Sequence, residues 1–527
     1  MSKKVPARLR LAAAAAAVLF ATAGALDVAV AAAPDSKSAI AWQVASTDAE
    51  VDRAFALARQ TGKPVFLYWG AVWCPPCNQV KATLFSRPDF VERSRAFIPV
   101  YVDGDKPGAQ KVAARFKVTG YPTMVLFRAD GSEVTRLPGE VDPERYLLTL
   151  SSGLDSQVPV RELVQRAIAH KTLTPEQWRL LAFYSWDTDE QQVVKTAELG
   201  SRLSELAAAV PPDLSTVKDR LNLKAIAARA RAENKPDQAK VDADRAMVDS
   251  LLASSEAARA QSDLLILYAE PIVKYLARAL EARAALASIW DGAMEKAMAA
   301  RPLSRAEQID ALDSRVALWK FADRTEKLAP QRAQSVYTDV QRVVAQTTDR
   351  YERQAVVPSA AHVLTSAGLV QESDALLKTE LPRAVAPYYH MLGLAANAKA
   401  RGDKAGALQW SEQAWRKSEG PATRLQWGTS YVRSVIQLTP DDSTRVAAAA
   451  GAVIADLEPR GETFFERNQR SLQRMATELA KWQGNDPARE KVVVGLRKQL
   501  TRTCSKLPAK DAGRTNCESV FASATQS

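Results

Sequence analysis

From residue 63 onward the chain alternates short apolar runs with segments of helical period. Pro64 to Gly70 carries the apolar run Val65-Phe66-Leu67-Tyr68-Trp69, the pattern of a strand. A helix follows over Pro75 to Ser86, and a short one after Pro88. A strand over Phe97 to Val102, a helix over Gly108 to Phe116 and a strand over Thr123 to Phe127 come next. The turn Ala129-Asp130-Gly131-Ser132 leads into a strand over Glu133 to Leu137, and a helix begins at Asp142. This order predicts an α/β sheet with helices on its faces. Beyond Gly153-Leu154-Asp155-Ser156-Gln157-Val158-Pro159 the strand patterns stop. Ala/Leu/Arg-rich helical periods then run to about residue 503, punctuated by Pro211-Pro212, Pro302, Pro330, Pro358, Pro382, Pro421 and Pro440. Thr174-Pro175-Glu176-Gln177 shows how such helices start: a capping threonine, a proline at the first helical position, and a glutamine reaching back to the cap. The expected organisation is an α/β domain over 39–152, a linker over 153–158, an all-helical region over 159–503 and a C-terminal tail over 504–527.

The first strand delivers the chain to Trp73-Cys74-Pro75-Pro76-Cys77. Two cysteines two residues apart at a strand-to-helix junction can close a small disulfide ring that another thiol can open. A helix N-terminus favours a thiolate at Cys74, which makes it the expected nucleophile. Cys77, one turn inward and less exposed, is placed to attack a mixed disulfide and is the expected resolving thiol. Half a zinc site and an inert disulfide are the alternatives. Zinc needs a second ligand pair, whereas the other cysteines, Cys504 and Cys517, are separated by twelve residues and His170, His362 and His390 are scattered. Pro75 and Pro76 remove two N–H donors from the end that would stabilise the Cys74 thiolate. That raises the thiol pKa and leans the couple toward reductase chemistry.

Together with Lys117-Val118-Thr119-Gly120-Tyr121-Pro122-Thr123, Met124-Val125-Leu126-Phe127 and the Asp130-Gly131 turn, the WCPPC segment resembles the thioredoxin family over about a fifth of the chain. Gly62-Lys63-Pro64-Val65 and Thr83-Leu84-Phe85-Ser86-Arg87-Pro88-Asp89-Phe90-Val91 are most similar to the C-terminal thioredoxin domain of DsbD-type periplasmic interchange reductases. The resemblance implies a cis peptide between Tyr121 and Pro122, beside the dithiol and presenting backbone groups to an extended substrate. Trp73, Tyr121 and Pro122 are thereby the expected substrate-facing residues. One position departs from the family. The buried aspartate six residues before the first cysteine is replaced by Tyr68, whose phenol is a poor base at neutral pH. Tyr68, Pro75 and Pro76 are therefore expected modulators of the dithiol, with a plain core aromatic as the other reading of Tyr68.

At the N-terminus, Lys3, Lys4, Arg8 and Arg10 precede a charge-free run from Leu11 to Leu26, and Ala29-Val30-Ala31-Ala32-Ala33 offers small-residue cleavage choices. Residues 1–33 read as a secretory signal peptide, with a retained anchor as the alternative, and the expected compartment is the periplasm. No other stretch is long and apolar enough to span a membrane. Nothing in the sequence resembles a membrane electron conduit of the DsbD kind, and reducing equivalents are expected to come from an external donor protein. The net charge of +11 falls to about +8 without the leader, which holds four basic residues and Asp27. Basic residues alternate with acidic ones and form no run of the kind that binds nucleic acid.

Leu394-Ala395-Ala396, Gly402-Asp403, Ala407 and Ala414 resemble a tetratricopeptide unit, and Ala375 precedes Ala407 by close to that family's period. Ala227 to Ala243 reads as a helical hairpin without the motif, so the region is expected to be a degenerate α-solenoid, acting as a partner surface or else as structural filler or a homo-oligomerisation surface. Cys504 and Cys517 are expected to form a structural bridge that pins the tail. Asp103-Gly104-Asp105 lacks the later ligands of a calcium loop, and no glycine-rich phosphate cradle follows a strand. The expected cofactor inventory is therefore empty of metals and nucleotides, leaving the Cys74–Cys77 redox pair itself.

These readings converge on a periplasmic thiol:disulfide oxidoreductase that acts on protein disulfide or thiol clients chosen by the helical region. A binding scaffold or chaperone with a weakly active α/β domain is the alternative.

Overall fold

The computed structural model describes residues 39–137, 143–232, 237–300 and 303–522; the expected signal peptide at 1–33 lies outside them. Five strands form one sheet in the order β1-β3-β2-β4-β5, with β1 Gln43–Ala45, β2 Val65–Gly70, β3 Ile98–Asp103, β4 Thr123–Phe127 and β5 Glu133–Leu137. Strands β1, β3 and β2 run parallel, and β4 and β5 add as antiparallel strands. All six residues of β2 are buried, as expected of a central strand covered on both faces.

Five helices cover the sheet: α1 Asp48–Thr61, α2 Pro75–Val80, α3 Pro88–Arg93, α4 Ala109–Phe116 and α5 Pro143–Ser156. Helix α1 and strand β1 go beyond the elements read from residue 63 onward. The strand is three residues long, but α1 carries a legible start. Thr47 and Glu50 form a capping box, and Gly62 closes the helix in the left-handed region at φ 68°. On one face Val51, Phe55 and Ala58 of α1 and Val112 and Phe116 of α4 pack on Leu67, Trp69, Val100 and Val125. On the other, Phe66, Tyr68, Met124 and Leu126 meet Val80, Phe85, Phe90, Tyr146 and Leu150. The helix expected over Pro75–Ser86 is regular only to Val80. Lys81–Phe85 continues as one wider π turn, a form concentrated at functional sites.

Gly153–Ser156, read as the start of a linker, is instead the last turn of α5. The reason is contact. A Cβ on Gly153 would sit 2.9 Å from the Leu126 side chain, so the absent side chain lets α5 lie close on β4. The helical region starts with Val160–Ile168 and Pro175–Phe183, the latter with the expected Thr174 and Gln177 capping box. Strand β5 is sutured to it by the fully buried Arg136. Its guanidinium donates to the carbonyls of Phe116, Lys117 and Thr188 and pairs with Glu133, while Ser185 N–H donates to the Arg136 carbonyl.

Helices then follow one another to Pro487–Cys504 and Ala512–Ser519. Pro330 and Pro421 occupy first turns, but Pro358 lies inside the helix Arg350–Ser366, and Pro302 falls outside the described residues. The helices Pro387–Ala400 and Lys404–Lys417 flank Gly402, at φ 79°, and Asp403, whose carboxylate caps the second. The preceding pair is tied to this one by Asn397, which donates to Ser373 and Asp374 and accepts from Thr365. Cys504 and Cys517 are disulfide-bonded and buried, joining the end of one helix to the terminal one. Ile40–Ser527 forms one compact unit. The α/β part does not close its core alone, because Ala386, Tyr388, Met391 and Ala414 complete the cluster that holds Trp73, Cys74 and Cys77. Among the described residues no helix is long and apolar enough to cross a membrane.

Candidate active site

Strand β2 ends at Gly70, where a Cβ would lie 2.6 Å from the Tyr68 ring; glycine is needed for the chain to turn past that tyrosine. The loop that follows is fixed by Asn78, which is fully buried and donates to the Val72 carbonyl at 3.0 Å. Cys74 is the N-cap of α2, with Pro75 and Pro76 in the first turn. Its Sγ accepts one backbone bond, from Cys77 N–H at 3.1 Å. The prolines therefore leave a single amide where an ordinary helix start presents several. The cysteines are joined as a disulfide.

Cys74 is less exposed than its place at a helix start suggests: it is 2% accessible and Cys77 is 0%. What Cys74 meets is a cleft of about 940 Å³. The α/β part contributes Trp73 to Pro76 and Thr119 to Tyr121, and the opposite wall comes from Tyr389 and the helices Pro421–Leu438 and Glu466–Gln483. Cys74 lines this space and Cys77 does not. The peptide between Tyr121 and Pro122 is cis. Tyr121 lines the cleft, whereas Pro122, half-buried, is not among the residues that line it.

Trp73 is held on three sides. Its ring stacks on Tyr389 at 5.9 Å and meets Tyr121 edge-on at 5.3 Å, and the Arg467 guanidinium lies 5.1 Å from it and 4.6 Å from Tyr121. Its indole N–H donates to Asp105. The same carboxylate accepts from Thr423 N–H at 2.9 Å and from Thr423 Oγ1 at 2.6 Å. Asp105 thus caps the helix Pro421–Leu438 while it fixes the tryptophan beside the dithiol. Burial raises its carboxyl pKa, opposed by the bonds from Thr423 and Trp73. Gly420, at φ 81°, allows the approach, since a Cβ there would lie 2.6 Å from the Asp105 carboxyl carbon. Gln110 adds a second tie, donating to Gly104 O and Tyr121 Oη and accepting from Arg467 N–H.

Tyr68 lies in the aromatic core, 4.9 Å from Phe85, 5.2 Å from Tyr101 and 5.7 Å from Trp42 between ring centroids. Its buried hydroxyl has no hydrogen-bond partner among the described residues, and burial holds its pKa well above the ordinary phenol range. It packs, and it is not a base at neutral pH.

A family model described as a thioredoxin-like domain matches residues 51–153, the stretch from α1 to α5 that carries the dithiol and the cis proline. Residues 51–153 are a thioredoxin-like domain. It is 33% identical over 105 residues to thiol:disulfide interchange protein DsbD 1 of Pseudomonas aeruginosa, covering 19% of this chain and 18% of that protein. It is also 33% identical over 116 residues to DsbD of Klebsiella pneumoniae, covering 21% and 19%. The chain thus spans about a fifth of the length of these curated relatives. Among solved structures, a thioredoxin from Thermus thermophilus is 30% identical, with 21% of this chain and 82% of that one covered at a TM-score of 0.18. The helical region, which supplies the residues facing the thioredoxin-like dithiol across the cleft, lies outside the family match.

Of the residues singled out from sequence, the structure gathers Trp73, Cys74, Pro75, Pro76 and Tyr121 on the cleft, leaves Pro122 and Tyr68 off its lining, and places Cys504 and Cys517 in the terminal helices. Sequence reasoning missed Asp105, Thr423, Tyr389 and Arg467. Asp105 and Thr423 are 318 positions apart, and no local pattern joins them. Arg467 did have a signal. With Arg470 and Arg474 it marks one face of a single helix at spacings of three and four.

Proposed function

We propose that the protein is a thiol:disulfide oxidoreductase of an oxidising, periplasm-like compartment, working as a reductase or interchange catalyst through Cys74 and Cys77. One observation carries the reading: of the two cysteines at the start of α2, only Cys74 lines the cleft, and its Sγ receives the Cys77 amide. In the dithiol form the Cys74 thiolate attacks one sulfur of a substrate disulfide. An S–S bond forms to that sulfur, and the other leaves as a thiolate that takes up a proton. Cys77, losing its proton to solvent, then attacks Cys74. The Cys74–Cys77 bond closes and the second substrate thiol departs, so the substrate gains two electrons and the protein loses two. A dithiol on an external donor protein resets the pair. The single amide at Sγ supports the reducing direction, since weaker thiolate stabilisation makes the couple less oxidising.

The helical region selects partners in this reading, as a tetratricopeptide-like solenoid whose helices Pro421–Leu438 and Glu466–Gln483 form the outer wall of the site. Its clients are protein disulfides or thiols. The compartment rests on the basic-then-apolar N-terminal sequence and on the Cys504–Cys517 bridge, a bond that persists where thiols are not kept reduced.

A second reading, a binding scaffold or chaperone with weak exchange activity, is favoured by the near-complete burial of Cys74. Turnover separates the two. With dithiothreitol as donor, the full chain should reduce many equivalents of a disulfide substrate, and a Cys74→Ser/Cys77→Ser double variant should reduce none above the reagent alone. Equal rates for the two proteins, with client binding intact in the double variant, would establish the scaffold instead.

A further inference from the structure

The cleft over Cys74 carries an excess of positive charge. Helix Glu466–Gln483 lines it with Arg467, Arg470, Arg474 and Lys481, and Arg433 faces in from Pro421–Leu438; among the described residues Glu478 is the one carboxylate on the wall. Elsewhere on these and neighbouring helices arginines are paired within the chain, as Arg416 is with Glu412, Arg424 with Asp456 and Arg489 with Asp486. In the cleft Arg470 meets Glu466 at 3.5 Å and Arg467 is spent on the Trp73 and Tyr121 rings. No carboxylate among the described residues lies within ion-pair distance of Arg433, Arg474 or Lys481. Desolvation, reinforced by Arg433, Arg470 and Arg467, holds the Arg474 pKa below the ordinary guanidinium value, so these cations repel one another where they stand. Crowded cations of this kind are relieved by an anion, and planar guanidinium groups suit carboxylates because they can bind them through two parallel N–H bonds.

The space sets the size of that anion. At about 940 Å³ the cleft matches a site for a small molecule or a few residues of extended chain, and Cys74 at 2% exposure is out of reach of a folded surface. Building on the oxidoreductase reading above, we infer that the substrate is a peptidic disulfide with carboxylates close to its half-cystine, bound by Arg433, Arg474 and Lys481 while its sulfur meets Cys74. Two sources share this chemistry: an acidic extended segment of a protein and a small anionic peptide disulfide. In either case exchange follows the two-electron course already given, and the cationic wall takes no part in it beyond binding and orientation.

The test uses the full chain, reduced with dithiothreitol and freed of it. Rate constants are measured for three disulfide peptides of equal length flanked by Glu, Gln or Lys, and for glutathione disulfide against cystamine. The Glu peptide should react at least about tenfold faster than the Lys peptide, and the ratio should shrink as salt screens the wall. Arg433→Gln/Arg474→Gln should bring the ratio toward one, and Arg474→Glu should lower it further. Both positions are exposed, and Lys481→Gln gives an independent variant should either fail to fold. A fast reaction with glutathione disulfide identifies the small anionic source; a slow one beside a fast Glu peptide identifies the protein segment. Equal rates for the three peptides, or a preference for Lys, overturn the inference while leaving the oxidoreductase reading intact. Failure to reduce any of the five disulfides overturns that reading and the inference with it.

Discussion

Replacing Asp105 by alanine removes one carboxylate and leaves three donors without their acceptor: Trp73 Nε1–H, Thr423 N–H and Thr423 Oγ1–H. Losing the helix cap costs about 1 kcal/mol. A buried indole N–H left unsatisfied costs about 1–3 kcal/mol more, while relief of the carboxylate's own desolvation offsets part of this. The expected net loss is about 2–4 kcal/mol, concentrated where the helix Pro421–Leu438 meets the thioredoxin-like domain. Asp105→Asn should lose roughly half as much, because one amide oxygen can still cap Thr423 and its hydroxyl can rotate to accept. The pH dependence has a definite sign. The Asp105 carboxyl pKa is raised in the folded state, so its contribution is greatest below the ordinary carboxyl range and falls as pH rises toward the folded value. The gap between wild type and Asp105→Asn should therefore narrow as pH rises above the ordinary carboxyl range. Amide hydrogen exchange at Thr423 to Leu425 is the assay, supported by thermal unfolding. Gly420→Ala, which pushes a Cβ against the same carboxyl, should speed the same amides. Unchanged exchange in Asp105→Ala would refute the idea that this residue anchors the helix.

Tyr68→Phe removes a buried hydroxyl without a partner, so stability should stay level or rise by up to about 1 kcal/mol, with the exchange rate unchanged; a large rate loss would give the phenol a chemical role. Cys504→Ser with Cys517→Ser should cost about 3 kcal/mol, read as a lower denaturant midpoint. A fragment of residues 39–158 loses the cover that Tyr388, Met391 and Ala414 give the dithiol face, and should melt lower and bind more hydrophobic dye than the full chain. A fragment as stable as the whole would contradict the shared core.

The β2 run, the dithiol at the start of α2, the cis bond before Pro122 and the Asp130-Gly131 turn were legible because each rests on local chemistry: period, capping, a family motif, a turn pair. The Cys504–Cys517 bridge was legible from compartment and spacing. Gly153 was misread because a glycine in a polar stretch looks like a linker, while its purpose is set by Leu126 across the helix–sheet interface. The burial of Cys74 could not be read locally either. Helices more than three hundred residues downstream roof the site, and strand and helix periods do not encode which distant faces meet. The arginine face of Glu466–Gln483 stood in the sequence at helical spacing; what gives it meaning is the dithiol opposite, which only the fold supplies.

In the proposed mechanism Cys74 attacks from the cleft and Cys77 resolves. Intact-mass analysis of the full chain, after reaction of each single cysteine variant with a peptide disulfide, tests it most directly. Cys77→Ser should accumulate a mixed disulfide through Cys74, and Cys74→Ser should accumulate little or none, because Cys77 is shut away from the cleft. Equal adducts on both variants, or an adduct on Cys77 alone, would contradict the account.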